Sequence, residues 1–505
     1  MPLLKKIVLL LFLSATLFAQ PKREFRGIWI ANVGNVDWPS QKGLSAEEQQ
    51  QELVDLLDLI KRQGLNAVFF QIRNACDAVY ESNLEPWSEW LTGQQGRSPG
   101  YDPLAFAIQE CRKRNLEIHA WMNPYRAVTD IRSASLASNH VARMRPDVLL
   151  SYGPLRLLDP GRPEVRSFVT RVVMDVVRRY DIDGIHFDDY FYPYTATGQT
   201  LKDQAAFQEY GGRFRDKDDW RRDNVDKLIK QISDAITAEK SYVKFGVSPF
   251  GVWRNRKEDP SGSATEAGQT SYDNLYADTK KWMKAGWIDY MVPQIYFSTK
   301  FDKIPFKVLT FWWLQHTYGR HLYIGQGAYK VGSQERDKAW ANASEFSNQM
   351  RFIRLNPEIT GSVFFSSKSL INNKLGHADS LRTNFYKEPA FPPTMPWKDR
   401  VPPRSPQNLQ VNDTRDGVDL RWSIPETARD GDKPHYYAVY RYTDGEEPRL
   451  LAACYEGQTR ALDRTAVRNR RYTYAITALD RLHNESEAVL ATVMVRSSIR
   501  ASKKQ

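Results

Sequence analysis

The chain has 505 residues, of which 41% are hydrophobic and 26% charged, and it carries a formal net charge of +11. This length exceeds one ordinary domain and predicts two or three; the composition is that of a folded soluble protein and excludes a disordered or fibrous one. The basic balance suits an acidic polymer as partner, but no dense Lys/Arg block marks a nucleic-acid surface and no Cys/His cluster has metal-ligand spacing.

Residues 1–20 read as a secretory signal peptide. Lys5-Lys6 precede an apolar run from Ile7 to Leu13, and residues 14–20 offer a cleavage region. No other apolar run approaches 18 residues, so no integral membrane segment is expected. The mature protein is expected to be exported, periplasmic or associated with the cell surface. Its three cysteines are Cys76, Cys111 and Cys454. The spacing leaves a Cys76–Cys111 pairing open, and the reading adopted is free, partly buried thiols.

From 23 to about 388, strand-like and helix-like segments alternate. Strands are expected over 25–32, 66–73, 117–125, 184–190, 244–251, 289–297, 322–328 and 361–367. Between them, Ser45 and Glu48 form a capping box, and Gly64 ends that helix. Asp102-Pro103 caps and starts another helix, and 271–285 is expected to be a third, stopped by Gly286. Eight such repeats predict an α/β fold, a (β/α)8 TIM barrel over 21–388. A doubly wound open sheet is the alternative, weakened because no Gly-rich phosphate loop follows the first strand. Prolines crowd 389–406, read as a linker. Short alternating runs then predict a small all-β sandwich over 407–497.

The stretch Gly184-Ile185-His186-Phe187-Asp188-Asp189-Tyr190 carries the most chemistry. Two acids where a core strand ends, inside an aromatic cluster, suggest proton or nucleophile chemistry in a cleft. Aromatic rings beside carboxylates also suit sugars. Side chains alternate along a strand, so parity sorts the inward set. His186 and Asp188 face inward on the fourth strand, and His119, Trp121 and Asn123 on the third. Phe69, Gln71 and Arg73 do so on the second, and Tyr290, Val292, Gln294 and Tyr296 on the sixth. These polar groups gather at the carboxyl ends of the strands, where barrel enzymes build their sites. Asp189 can still reach the pocket, because alternation ends with the strand. Arg73, Arg126 and Arg254 could bind a carboxylate on the substrate. Trp121, Tyr125, Trp253 and Tyr296 could be stacking platforms. Asp77, Glu258, Glu266 and Asp273 are further available acids, and Asp77 and Tyr80 lie in the loop after the second strand.

The motifs Phe25-Arg26-Gly27-Ile28-Trp29, Gln71-Ile72-Arg73, Trp121-Met122-Asn123-Pro124-Tyr125-Arg126, Asp183 through Tyr190, Ser248-Pro249-Phe250-Gly251-Val252-Trp253-Arg254-Asn255 and Asp289 through Tyr296 occur in order. In this the chain resembles the glycosyl-hydrolase-like family 10, once a domain of unknown function. The resemblance implies a TIM-barrel glycosidase. One member is an exported bacterial enzyme of the division septum, which implies peptidoglycan strands freed of their stem peptides as substrate. The C-terminal pattern, with Leu420-x-Trp422 and Tyr472-x-Tyr474-x-Ile476-x-Ala478, resembles a fibronectin type III domain, which could contact cell wall or protein. The expected reaction is two-carboxylate hydrolysis, with no cofactor and no metal. Asp188 is taken as nucleophile or base, and the acid is left open among Asp189, Asp77 and Asp273. The rival readings are a hydrolase of another exopolysaccharide or dietary glycan, and a carbohydrate-binding protein without turnover.

Overall fold

The computed structural model describes residues 21–333, 337–455 and 457–496. The expected signal peptide, residues 1–20, and residue 497 of the expected sandwich lie outside them. The chain divides into two compact units, one made by residues 21–111 and 116–387 and the other by 112–115 and 388–496.

In chain order the first unit contains β1 (Phe25–Ile30), β2 (Ala67–Arg73), β3 (Glu117–Met122), β4 (Arg126–Val128), β5 (Leu149–Tyr152), β6 (Leu155–Leu158), β7 (Gly184–Phe187), β8 (Lys244–Val247), β9 (Tyr290–Met291), β10 (His321–Gln326) and β11 (Gly361–Phe364). Eight of them close into a parallel barrel in the order β1-β11-β10-β9-β8-β7-β3-β2. These fall on the eight expected strands, which establishes the TIM barrel over the open sheet. Alternation holds along them. Ile118, Ala120, Met122, Ile185 and Phe187 join the apolar layer that also contains Val169, Val173, Leu228 and Ile232 from the surrounding helices. The opposite faces fill the interior.

Local signals act as expected at several joints. Ser45 accepts from the Glu48 amide while Glu48 accepts from the Ser45 amide, and the helix Ala46–Arg62 follows. Asp102 accepts from the Ala105 amide at the head of the helix Pro103–Lys113. The expected helix over 271–285 is corrected: only Thr279–Ala285 is helical. Thr270, Asp273 and Asn274 instead hydrogen-bond among themselves. Asp278 then caps the shorter helix through the Lys281 amide.

Three strands, β4, β5 and β6, were not foreseen. They form an antiparallel sheet in the order β4-β6-β5. The strands that were foreseen are shorter than expected: β7 stops at Phe187 and β9 holds two residues. Asp188 and Asp189 therefore begin a loop at the carboxyl end of β7.

The second unit is all β. Strands β12 (Gln407–Thr414), β13 (Gly417–Ser423), β14 (Tyr436–Tyr442), β15 (Arg449–Tyr455), β16 (Arg460–Asp463), β17 (Arg470–Leu479) and β18 (Val489–Val495) form two antiparallel sheets, β12-β13-β16 and β15-β14-β17-β18. Val418, Leu420, Trp422, Tyr437, Tyr472, Tyr474 and Ile476 are buried together within it. All three cysteines are buried, and none forms a disulfide among the described residues.

Candidate active site

The barrel interior below the acids is a chain of hydrogen bonds. Lys244 pairs with Glu117, whose Oε2 lies 3.0 Å from His119 Nε2. His119 Nδ1 meets the Tyr290 hydroxyl at 2.8 Å, and His186 Nδ1 meets the same hydroxyl at 3.3 Å. Trp29 Nε1 donates to His186 Nε2 (3.3 Å), and Ser248 Oγ lies 3.0 Å from that nitrogen. An indole N–H can only donate, so His186 Nε2 accepts and its proton sits on Nδ1. Tyr290 then accepts from His186 and donates to His119, which places the His119 proton on Nε2, facing Glu117. Burial, with His119 adding to it, drives the His186 pKa well below its ordinary value, consistent with a neutral ring.

This stack fits because two barrel strands present glycine to it. A Cβ on Gly246 would come within 2.1 Å of the Tyr290 ring, and one on Gly184 within 2.4 Å of His119 Nδ1. The register sets Gly246 beside Tyr290 and His119 beside Gly184.

One layer up sit Asp188 and Asp189, 3% and 2% exposed. Asp188 Oδ2 accepts from Trp121 Nε1 (3.0 Å), and its Oδ1 from Asn123 Nδ2 (3.2 Å) and the Tyr190 amide (3.3 Å). Asp189 Oδ2 accepts from the Tyr194 hydroxyl, and its Oδ1 from Gln294 Nε2 (3.1 Å). Gln294 is fixed in turn by donating to the Ser248 carbonyl (2.9 Å). Arg126 stacks on the Tyr190 ring, 4.5 Å from its centroid, and donates Nε to the Asn74 carbonyl (3.0 Å). Tyr296 packs against Phe365 and Tyr329 at the same mouth.

The glycosyl hydrolase-like 10 family model matches residues 24–342. The chain belongs to the glycosyl hydrolase-like 10 family. Glycosyl hydrolase YngK of Bacillus subtilis (strain 168) is 48% identical over 480 residues, covering 93% of each chain. Glycosyl hydrolase DigH of Escherichia coli (strain K12) is 40% identical over 369 residues, 68% of this chain and 83% of that one. The protein is a glycoside hydrolase, and its substrate is a carbohydrate.

In this glycosyl hydrolase-like 10 enzyme the two adjacent acids differ in surroundings. Burial raises the pKa of Asp188, opposed by the charge of Arg126 and by hydrogen bonds from Trp121, the Tyr190 amide and Asn123. Asp189 is pushed up to about 6, first by burial and then by the charge of Asp188. Three donors and a nearby cation favour the charged form of Asp188, whereas Asp189 has a carboxylate neighbour that favours its neutral form.

The structure gathers Asp188, Asp189, Trp121, Asn123, Arg126, Gln294 and Tyr296 at this mouth, and commits the other expected site residues elsewhere. A bulge between Gln71 and Arg73 breaks the inward register. Arg73 is buried in a bidentate pair with Glu85, at 2.7 and 2.6 Å. Asp77 is buried and braces its own loop, accepting from Asn74 Nδ2 and the Ala75 amide. Tyr80 packs edge-on against Tyr180, and Tyr125 lies in the apolar core. His186 is buried beneath the acids with both ring nitrogens engaged. Trp253 stacks on Trp312 and donates to Asp278, and Arg254 pairs with Asp273 (2.9 Å) and Asp259 (3.3 Å). Glu258 and Glu266 are exposed. Two partners of the acids went unforeseen, Tyr194 and the Tyr190 amide. The signal available for Tyr194 was its place in the aromatic run that follows the acids. Among the described residues, the three acids Asp399, Asp432 and Asp480 that approach within 4.8 Å of one another belong to the second unit, not to this mouth.

Proposed function

We propose that the enzyme hydrolyses glycosidic bonds of bacterial cell-wall glycan, specifically peptidoglycan strands freed of their stem peptides. The observation that carries the reading is the buried Asp188–Asp189 pair, with one carboxyl surrounded by donors and the other raised to about 6. Asp189 delivers its proton to the glycosidic oxygen as the C1–O bond breaks. Asp188 attacks C1, or takes a proton from the water that does. Asp77 accepts from Asn74 and the Ala75 amide and Asp273 pairs with Arg254, so this reading gives the role of acid to Asp189 instead. The denuded strand enters the argument through Arg126. Each muramic acid on such a strand carries a free lactyl carboxylate, and Arg126 is a mouth arginine that makes no close ion pair with a carboxylate among the described residues. The signal-like residues 1–20 support export to the wall, and the C-terminal β unit would contact wall or protein there.

The test is product analysis by mass spectrometry after incubation with intact sacculi, amidase-treated strands and neutral polysaccharides. Oligosaccharides released only from the amidase-treated strands support the proposal, and the mass of the new ends separates hydrolysis from lytic cleavage. No release from any wall substrate sinks it and turns attention to other glycans. Asp188→Ala and Asp189→Ala distinguish an enzyme from a binder. An enzyme loses turnover yet still holds glycan, and a binder has no turnover to lose.

A further inference from the structure

Beside the acids, between the hairpin β5–β6 and the loop 190–199, lies a cavity of about 280 Å³ lined by Arg126, Tyr152, Leu155, Tyr190, Tyr194 and Gln199 among others. We infer that this cavity is a subsite for one carboxylate-bearing sugar of the strand, with Arg126 as the partner of its carboxylate. The inference rests on the glycan reading above and adds which part of the molecule reads the anionic sugar.

Three observations converge on it. The cavity shares walls with the acids' own partners: Tyr194 donates to Asp189, and the Tyr190 amide donates to Asp188. A ring held here is therefore next to the bond being broken. Its walls are mostly aromatic and aliphatic, with the Tyr190 and Tyr194 rings edge to face at 5.5 Å, a surface that takes the C–H face of a pyranose. Finally, of the three arginines expected to bind a substrate carboxylate, Arg73 is matched by Glu85 and Arg254 by Asp273. Arg126 stacks on the Tyr190 ring and hydrogen-bonds its side chain, donates to the Asn74 carbonyl and acts on Asp188 through its charge, but among the described residues it makes no close ion pair with a carboxylate. Nε is used at Asn74, and the Nη donors beyond the Tyr190 contact serve a planar anion.

The experiment compares binding and turnover of peptide-free strands with those of strands whose lactyl carboxyls have been reduced to alcohols. Calorimetric titration of the Asp189→Asn protein measures binding without cleavage, and KM of the unmodified enzyme gives the second readout. The native strand should bind about tenfold or more tightly than the reduced one. Arg126→Ala should erase that preference. Ala196→Trp, which fills the cavity from the exposed loop, should raise KM for long strands and leave the pH limb set by Asp189 in place. Equal binding of native and reduced strands overturns the subsite, as does an Arg126→Ala protein that keeps the preference and shifts only the pH dependence. Preference for the native strand without turnover upholds the subsite and rejects the hydrolytic reading, so the two failures are distinguishable.

Discussion

Tyr194 donates its phenolic O–H to Oδ2 of Asp189, five residues earlier in the same loop. The phenol is itself held protonated: burial and the charge of Asp189 push its pKa far above the ordinary tyrosine value. A donor to a carboxylate stabilises the ionised form. The Asp189 pKa of about 6 is therefore what remains after Tyr194 and Gln294 have pulled it down against burial and Asp188. Tyr194→Phe should raise it further. The alkaline limb of kcat against pH, expected near 6 in the unmodified enzyme, should move upward in Tyr194→Phe. A limb that stays in place would remove Asp189 from the role of acid.

Asp189→Asn should lower kcat by about 10²–10⁴-fold, the span of general acid–base catalysis, while glycan binding is retained. The same change should stabilise the fold, and only above acidic pH. The folded pKa of Asp189, about 6, lies above the ordinary aspartate value of 3.8. The folded state therefore holds more protons between those values, and stability falls as pH rises through that window. The penalty is absent below about pH 4 and approaches about 3 kcal/mol above pH 6. Denaturant unfolding at pH 4 and pH 8 checks this. Asp189→Asn should be the more stable protein at pH 8 and gain nothing at pH 4. Equal behaviour at both would mean that the carboxyl is not strained by burial.

Alternation along β3 and β7 was legible because chemistry separated the two faces: His119 and Trp121 against Ile118 and Ala120, His186 against Ile185 and Phe187. Periodicity could not show where a strand stops pairing. The bulge at Ile72 redirected Arg73 onto Glu85, a partner twelve residues away that nothing in the local pattern marks. The strand expected to run to 251 ends at Val247, and the loop after it turns Trp253 back onto Trp312. The hairpin β5–β6 was missed although Leu150, Tyr152 and Leu157 are buried together. Its strands are four residues each, too short to announce a period. The identity of the acids was thus readable, whereas their partners depended on turns and tertiary contacts.

Arg73 and Glu85 test the reading of the second barrel strand as structural at this position. Both side chains are 1% exposed and joined by two charge-assisted hydrogen bonds. Removing either partner alone leaves a buried charge uncompensated, at a cost of about 3–5 kcal/mol. Arg73→Met with Glu85→Leu should recover much of that loss, because no charge is then stranded. Urea midpoints of the two single variants and the double variant measure it. If Arg73→Met instead left stability intact and weakened glycan binding, Arg73 would return to the substrate site.

Gly246 tests whether the interior chain under the acids is rigid. A methyl group there would approach the Tyr290 ring to 2.1 Å at Cε2. The ring is not a free end that can swing aside, since its hydroxyl joins both His119 and His186. Gly246→Ala should therefore destabilise by about 1–3 kcal/mol, the cost of overpacking a filled core. The displacement should also reach the chemistry, because His186 lies on β7 two residues before Asp188, which begins the loop after that strand. A lower urea midpoint together with reduced kcat and little change in KM is the expected pair of results. An unchanged midpoint would show that Tyr290 moves without penalty, and that the hydrogen-bonded stack does not hold the acids in position.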